Sequence, residues 1–180
     1  MHSSPAIRLQ SGSLALKVLA VLTGTAVLTL SSYIEVPMLP VPMTLQTLAV
    51  ALVGALYGWR LGTLTVLAWL GEALLGMPVL AGGAGGLPYF LGPTAGYLTA
   101  FPLAAALTGF AAGHGWNGHR PLLAFAAMLA AQVLCLLFGF VWLAALSGPA
   151  AAFAAGVLPF LLGGLVKAGL GAALLKALTR

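Results

Sequence analysis

From Leu122 to Leu146 the chain reads LLAFAAMLAAQVLCLLFGFVWLAAL, 25 residues without a charge. A helix needs about 20 apolar residues to cross the hydrocarbon of a bilayer, so this run is a membrane span by length alone. Similar runs fill almost all of the 180 residues, and only 5% of the chain is charged. Soluble domains carry about 25% charged residues. The chain is therefore an integral membrane protein. Continuous apolar runs, in place of apolar/polar alternation, favour helices over an outer-membrane barrel. At about 20 residues per span plus connections there is room for five to seven helices and for no separate soluble domain. The expected fold is an all-α bundle in which residues 1–180 form one transmembrane domain behind a polar tail at 1–13.

Breakers divide the runs into six spans. The first covers about 14–32, with Lys17 snorkelling at its start. Its apolar run, Leu14 to Leu30, is longer than the roughly 7–15 residues of a signal-peptide core, and no small-residue cleavage site follows it. Pro37, Pro40 and Pro42 make residues 31–43 an extended loop. A short helix over 44–57 turns at Gly58-Trp59-Arg60 into a third over 61–75, which carries Glu72. A fourth covers 92–112, the polar loop HGWNGHRP occupies 114–121, and the fifth covers 122–146. Ser147-Gly148-Pro149 ends it. The sixth helix is expected from near Pro159 to Leu178, because proline suits a first helical turn; a start near Ala151 is the alternative. Six spans place Arg8, Lys17, Arg60, Arg120, Lys176 and Arg180 on one side, with Glu35 in a loop on the other. An excess of Lys and Arg marks the cytoplasmic face, so both termini are expected there.

Residues 77–98, MPVLAGGAGGLPYFLGPTAGYL, hold six glycines and three prolines between two spans. No straight helix passes through such a stretch. Irregular backbone beside spans is tolerated only where protein covers it or it lines a wet cavity. Two readings follow: the floor or lid of a small-molecule site with exposed main chain at Gly82, Gly83, Gly85 and Gly86, or a surface loop.

Intramembrane charge offers the sharpest functional signal. With the sixth helix starting at Pro159, Lys167 lies about 12 Å deep at 1.5 Å per residue. It needs an anion, either a ligand carboxylate or Glu72, the protein carboxylate at similar depth. A Lys167–Glu72 pair that merely locks two helices is the structural alternative. Other chemistry finds no support. No nucleophile–base motif is present, which argues against an enzyme. AGGAGG lacks the GK[ST] ending of a phosphate loop, so uphill movement would need a partner or an ion gradient. The seven basic residues are scattered, which gives nucleic acid no patch to bind. His114 and His119 have no third ligand in their loop, so no metal site is expected. Cys135 is the single cysteine and reads as a buried thiol. Small residues at Ala15, Ala20 and Gly24 suit close helix contact.

The segments VPMTLQTLAVALVGALYGWRLG (41–62), EALLGMPVLAGGAGG (72–86), LGPTAGYLTAFPLAA (91–105) and PFLLGGLVKA (159–168) resemble the BioY family of biotin transport proteins. The resemblance covers about residues 31–176 in order and spacing. It implies a substrate-capture (S) component of an energy-coupling factor (ECF) transporter in a bacterial inner membrane. Biotin would bind near the outer face, with no cofactor. The partners implied are a transmembrane coupling subunit and two ATPases, with a homodimer as a further possibility and the lipid bilayer around it. Thr44, Gln46, Tyr97 and the backbone of Gly82 to Gly86 could then meet the ureido group, while Lys167 meets the valerate carboxylate. The loop containing residues 40–46 would close over the ligand. One departure stands out. Many relatives have an acidic residue three before the lysine, whereas this chain reads Gly163-Gly164-Leu165-Val166-Lys167, so Glu72 is a candidate to supply the missing charge. An S component for another small vitamin, and a non-transport structural membrane protein, are the competing readings.

Overall fold

The structure is a computed structural model and describes residues 12–179. Arg8, Arg180 and most of the 1–13 tail lie outside the described residues. Helix α1 spans Leu14–Tyr33, and the Ser13 side chain caps it by accepting from the Leu16 amide. Two-residue strands follow, β1 at Glu35–Val36 and β2 at Met43–Thr44, paired antiparallel with Glu35 opposite Thr44. Pro37, Pro40 and Pro42 have no amide hydrogen to donate, so the ladder stops where they begin. Residues 37–42 are left as a strap across the end of the molecule.

Helix α2 runs from Gln46 to Leu74, but it is not one rod. Gly58 sits at φ 79°, ψ 164°, a conformation open mainly to glycine. A Cβ on Gly62 would lie 2.8 Å from the Gly54 Cα. In a straight helix, residues eight apart are about 12 Å apart. The element is thus a hairpin of two antiparallel arms, 46–57 and 59–74, as the sequence predicted. The turn is tighter than expected, with Gly58 alone carrying it.

A 3₁₀ turn at Ala81–Gly83 and a one-turn helix α3 at Pro88–Leu91 occupy the glycine-rich stretch. Helix α4 then covers Ala95–Gly113, α5 covers Pro121–Ser147, α6 covers Pro149–Gly156 and α7 covers Phe160–Leu178. The alternative start of the last helix near Ala151 is corrected: the chain leaves helical geometry at Val157 before Pro159 opens α7. The fourth predicted span begins three residues late, because Gly92 is extended after α3. Among the described residues, α1, α2, α4, α5 and α7 are long and apolar enough to cross a membrane.

The surface is built for lipid. Leu161, Leu162, Leu165 and Val166 of α7 are exposed, as are Leu64, Leu67, Leu137 and Val141. Polar residues lie inside: Thr65 and Thr108 are buried and donate to carbonyls of their own helices, Leu61 O at 2.8 Å and Ala104 O at 3.1 Å. Satisfying a hydroxyl within its own helix removes the cost of an orphaned polar group where water is absent. Small residues set the closest approaches. A Cβ on Gly54 would meet Ala105 O at 2.2 Å, and one on Gly109 would meet the Trp59 amide nitrogen at 2.4 Å, so the α2 hairpin and α4 touch backbone to backbone. Gly24 likewise packs internally, against Thr65 and Tyr57.

The two ends differ. Gly109 brings the Gly58–Arg60 turn to the C-terminal end of α4, and Gly118 abuts the carbonyl of Leu175, so Arg60, Arg120 and Lys176 share one end. The strap, the glycine-rich stretch and α6 gather at the other.

Gly54→Ala therefore forces backbone apart and should destabilise by about 1–3 kcal/mol, the usual cost of overpacking. Gly169→Ala, where a Cβ meets nothing within 4 Å, should cost nothing. Thermal unfolding of both variants in one detergent checks the pair.

Candidate functional site

At the end away from Arg60, Arg120 and Lys176, the helices enclose a chamber of about 490 Å³. Pro40, Val41 and Pro42 of the strap cover it, the start of α2 and Leu80–Ala81 form one wall, and α4, α5 and α7 form the others. The chamber exists because irregular segments are held open at fixed positions. Aromatic side chains do the holding. Trp69 Nε1 donates to Val79 O at 3.2 Å and Trp142 Nε1 to Gly92 O at 2.9 Å. Tyr97 Oη donates to Gly156 O at 2.6 Å, and the Tyr33 hydroxyl donates to the Pro78 carbonyl. Each removes a main-chain acceptor that lipid could not satisfy. Tyr97 reaches across only because Gly139 and Gly156 have no side chain: a Cβ would sit 2.2 Å from the Tyr97 ring at the first and 2.7 Å from its hydroxyl at the second.

The foot of the strap is tied down in the same manner. Gln46 Nε2 donates to Ser32 Oγ at 2.9 Å, and Thr44 Oγ1 donates to Gln46 Oε1 at 3.1 Å. Ser32 in turn donates to Leu28 O at 2.8 Å. This buried chain of bonds fastens the start of α2 to α1.

Lys167 lines the chamber and is 8% exposed. Its Nζ donates to Thr47 Oγ1 at 3.3 Å. An ammonium has three donors, and among the described residues no carboxylate answers it. The lining is otherwise apolar and aromatic, with Leu98, Phe101, Leu136 and Phe160 prominent. A low-polarity cavity with one cation and a few amides and hydroxyls suits a small organic acid carrying a compact ring.

Of the residues expected here from sequence, Thr44, Gln46, Tyr97 and Lys167 do line the chamber. The first three are spent differently from expectation: their donors are engaged with protein, so they shape the cavity before they offer bonds to a ligand. Glu72 is not brought to the site. It lies at the end of the second arm of α2, outside the lining, and no ion pair joins it to Lys167 among the described residues. Gly82, Gly83, Gly85 and Gly86 also lie outside the lining, and Leu80 and Ala81 stand in their place. Those glycines serve the loop itself: Gly85 packs on the carbonyl of Met77, and the Gly86 amide donates to Ala73 O at 2.6 Å. Sequence reasoning missed Thr47 and Gln132. Gln132 is the one amide in the 25-residue run of the fifth span, a signal open to anyone asking why an amide sits in hydrocarbon. Nothing in the sequence marked Thr47.

Comparison with known proteins adds four findings. Residues 4–180 match the BioY family. The chain is 41% identical over 143 residues to a probable biotin transporter BioY of Pyrococcus horikoshii, covering 79% of this chain and 83% of that one. It is 36% identical over 151 residues to the biotin transporter BioY of Rhizobium etli, covering 80% and 81%. Its fold superposes with TM-score 0.80 and 28% identity on a crystal structure of the S-component for biotin from an ECF-type ABC transporter, over 94% of this chain and 95% of the other.

Removing the Tyr97 hydroxyl leaves the Gly156 carbonyl without its donor. Tyr97→Phe should lose about 1 kcal/mol of stability. It should also speed amide exchange over residues 157–160, with the exchange of α4 unchanged, as read by hydrogen–deuterium exchange.

Proposed function

This chain belongs to the BioY family, and we propose that it captures biotin in the chamber beneath the proline strap for uptake into the cell. Family membership makes it a multi-pass membrane component of a transporter and not an enzyme. The observation that carries the ligand reading is the lining itself: about 490 Å³ of mostly apolar and aromatic wall around one unpaired ammonium. Such a volume falls in the usual range for small-molecule sites, about 300–1,000 Å³. Biotin offers matching parts. Its fused ring fills an apolar enclosure, and its valerate carboxylate supplies the anion that Lys167 lacks.

The topology follows from the same features. The α2 hairpin supports six spans, its two arms counted separately, in one bundle over residues 1–180. Clustering of Arg60, Arg120 and Lys176 supports a cytoplasmic location for that end and for both termini. The chamber then opens outward, and the strap at 37–42 lies where an entering ligand would pass. Likeness to an ECF-type S-component supports assembly with a transmembrane coupling subunit and two ATPases in the bacterial inner membrane. A homodimer is the alternative assembly.

Lys167→Met should weaken biotin by about 1.5–3 kcal/mol, the worth of a charged hydrogen bond, in calorimetry on purified protein. Biotinamide, which carries no charge, should bind parent and variant alike. Equal loss for both ligands would move the lysine to the ureido end, and undiminished biotin binding would remove it from the site. Desthiobiotin should stabilise the protein in a thermal-shift panel, and lipoate should not.

A further inference from the structure

Gln132 is 5% exposed, sits midway along α5 and lines the chamber. Among the described residues its carboxamide has no hydrogen-bond partner, and neither of its polar atoms is sealed from open space. A primary amide buried at that depth with both donor and acceptor unused is costly unless something else completes it. The other buried polar side chains of the lining are already engaged, Thr44, Gln46 and Tyr97 with protein and Lys167 with Thr47. Among these, Lys167 is the one that keeps spare donors, and Gln132 is the side chain with no bond to protein at all.

Its position says what it is reserved for. On α7 the residue facing it is Gly164: a Cβ there would stand 3.7 Å from the Gln132 Cβ, an ordinary contact, so the two helices lie against each other at this level. Gly164 precedes Lys167 by three residues, one turn and about 4.5 Å along the same face of the helix. Amide and ammonium therefore come from facing helices about one helical turn apart, and both line the chamber.

We propose that Gln132 is a ligand-contacting residue that donates from Nε2 to the same carboxylate that Lys167 holds. This rests on the biotin reading and extends it. The two oxygens of the carboxylate are shared between an ammonium on α7 and an amide on α5. Binding then completes a hydrogen bond that the empty protein lacks, and the ligand ties those two helices together. Affinity and selectivity for an acid both depend on it, because an amide that donates to an oxygen anion gains more than one that meets a neutral group.

The experiment is a double-mutant cycle on biotin affinity with Gln132→Met, Lys167→Met and the double variant, alongside ligand-free melting temperatures. Met keeps the volume and removes no bond to protein, so the empty protein should melt no lower than the parent. Biotin should bind Gln132→Met about tenfold more weakly. The double variant should lose less than the product of the single losses, since both residues act on one group. Gln132→Glu, which sets a negative charge beside the carboxylate, should weaken biotin at least tenfold more than it weakens biotinamide. Biotin binding within twofold of the parent in Gln132→Met, losses that multiply, or equal effects of Gln132→Glu on the two ligands would each overturn the proposal. A parent protein that fails to bind biotin would instead sink the ligand reading, which keeps the two failures apart.

Discussion

In hydrocarbon an unpaired backbone carbonyl has no water to turn to, and that constraint shapes the chamber end of this protein. Three segments there abandon regular helix: the strap, the stretch between α2 and α4, and the break around Gly156. The last two are made tolerable by aromatic donors from neighbouring helices, while the strap is tied at its foot through Gln46, Thr44 and Ser32. Trp69, Trp142, Tyr97 and Tyr33 meet the carbonyls of Val79, Gly92, Gly156 and Pro78. A ring with one polar tip suits this task, since its body packs in the apolar layer while its N–H or O–H finds the acceptor. The cavity is consequently a fixed shape and not a gap between loose loops.

That rigidity explains how a lysine survives inside. Burying an ammonium is expensive, and here it is met by a single hydroxyl, Thr47. The remaining donors face a cavity large enough for ligand or water. A locked Lys167–Glu72 pair would have filled the same need internally and left no reason for an anion to enter. The helices keep the two apart, and the unmet charge becomes a recognition element.

Close backbone approach is the second theme. The α2 hairpin, α4 and α5 meet through Gly54, Gly109 and Gly139, each placed where a methyl group would strike a neighbouring backbone or ring. Without a hydrophobic effect between helices in lipid, such contact surfaces supply the packing energy. They also fix the register of α4, from which Tyr97, Leu98 and Phe101 face the cavity.

Much of this was written in the sequence. Apolar run lengths and the prolines and glycines between them gave the helices to within a few residues, because length and breakers are local properties. The depth of Lys167 followed from Pro159 in the same way. Which groups meet was decided only by tertiary structure. Glu72 and Lys167 are expected from sequence at similar depth, yet depth says nothing about azimuth around the bundle, and the glycines of the AGGAGG stretch spend their freedom on the loop's own turns. Gln132 and Gly164 lie on different helices, 32 residues apart in sequence, and face each other only because α5 and α7 pack side by side. A linear chain records how far along each helix a residue sits, while the packing of neighbouring helices settles which way it looks.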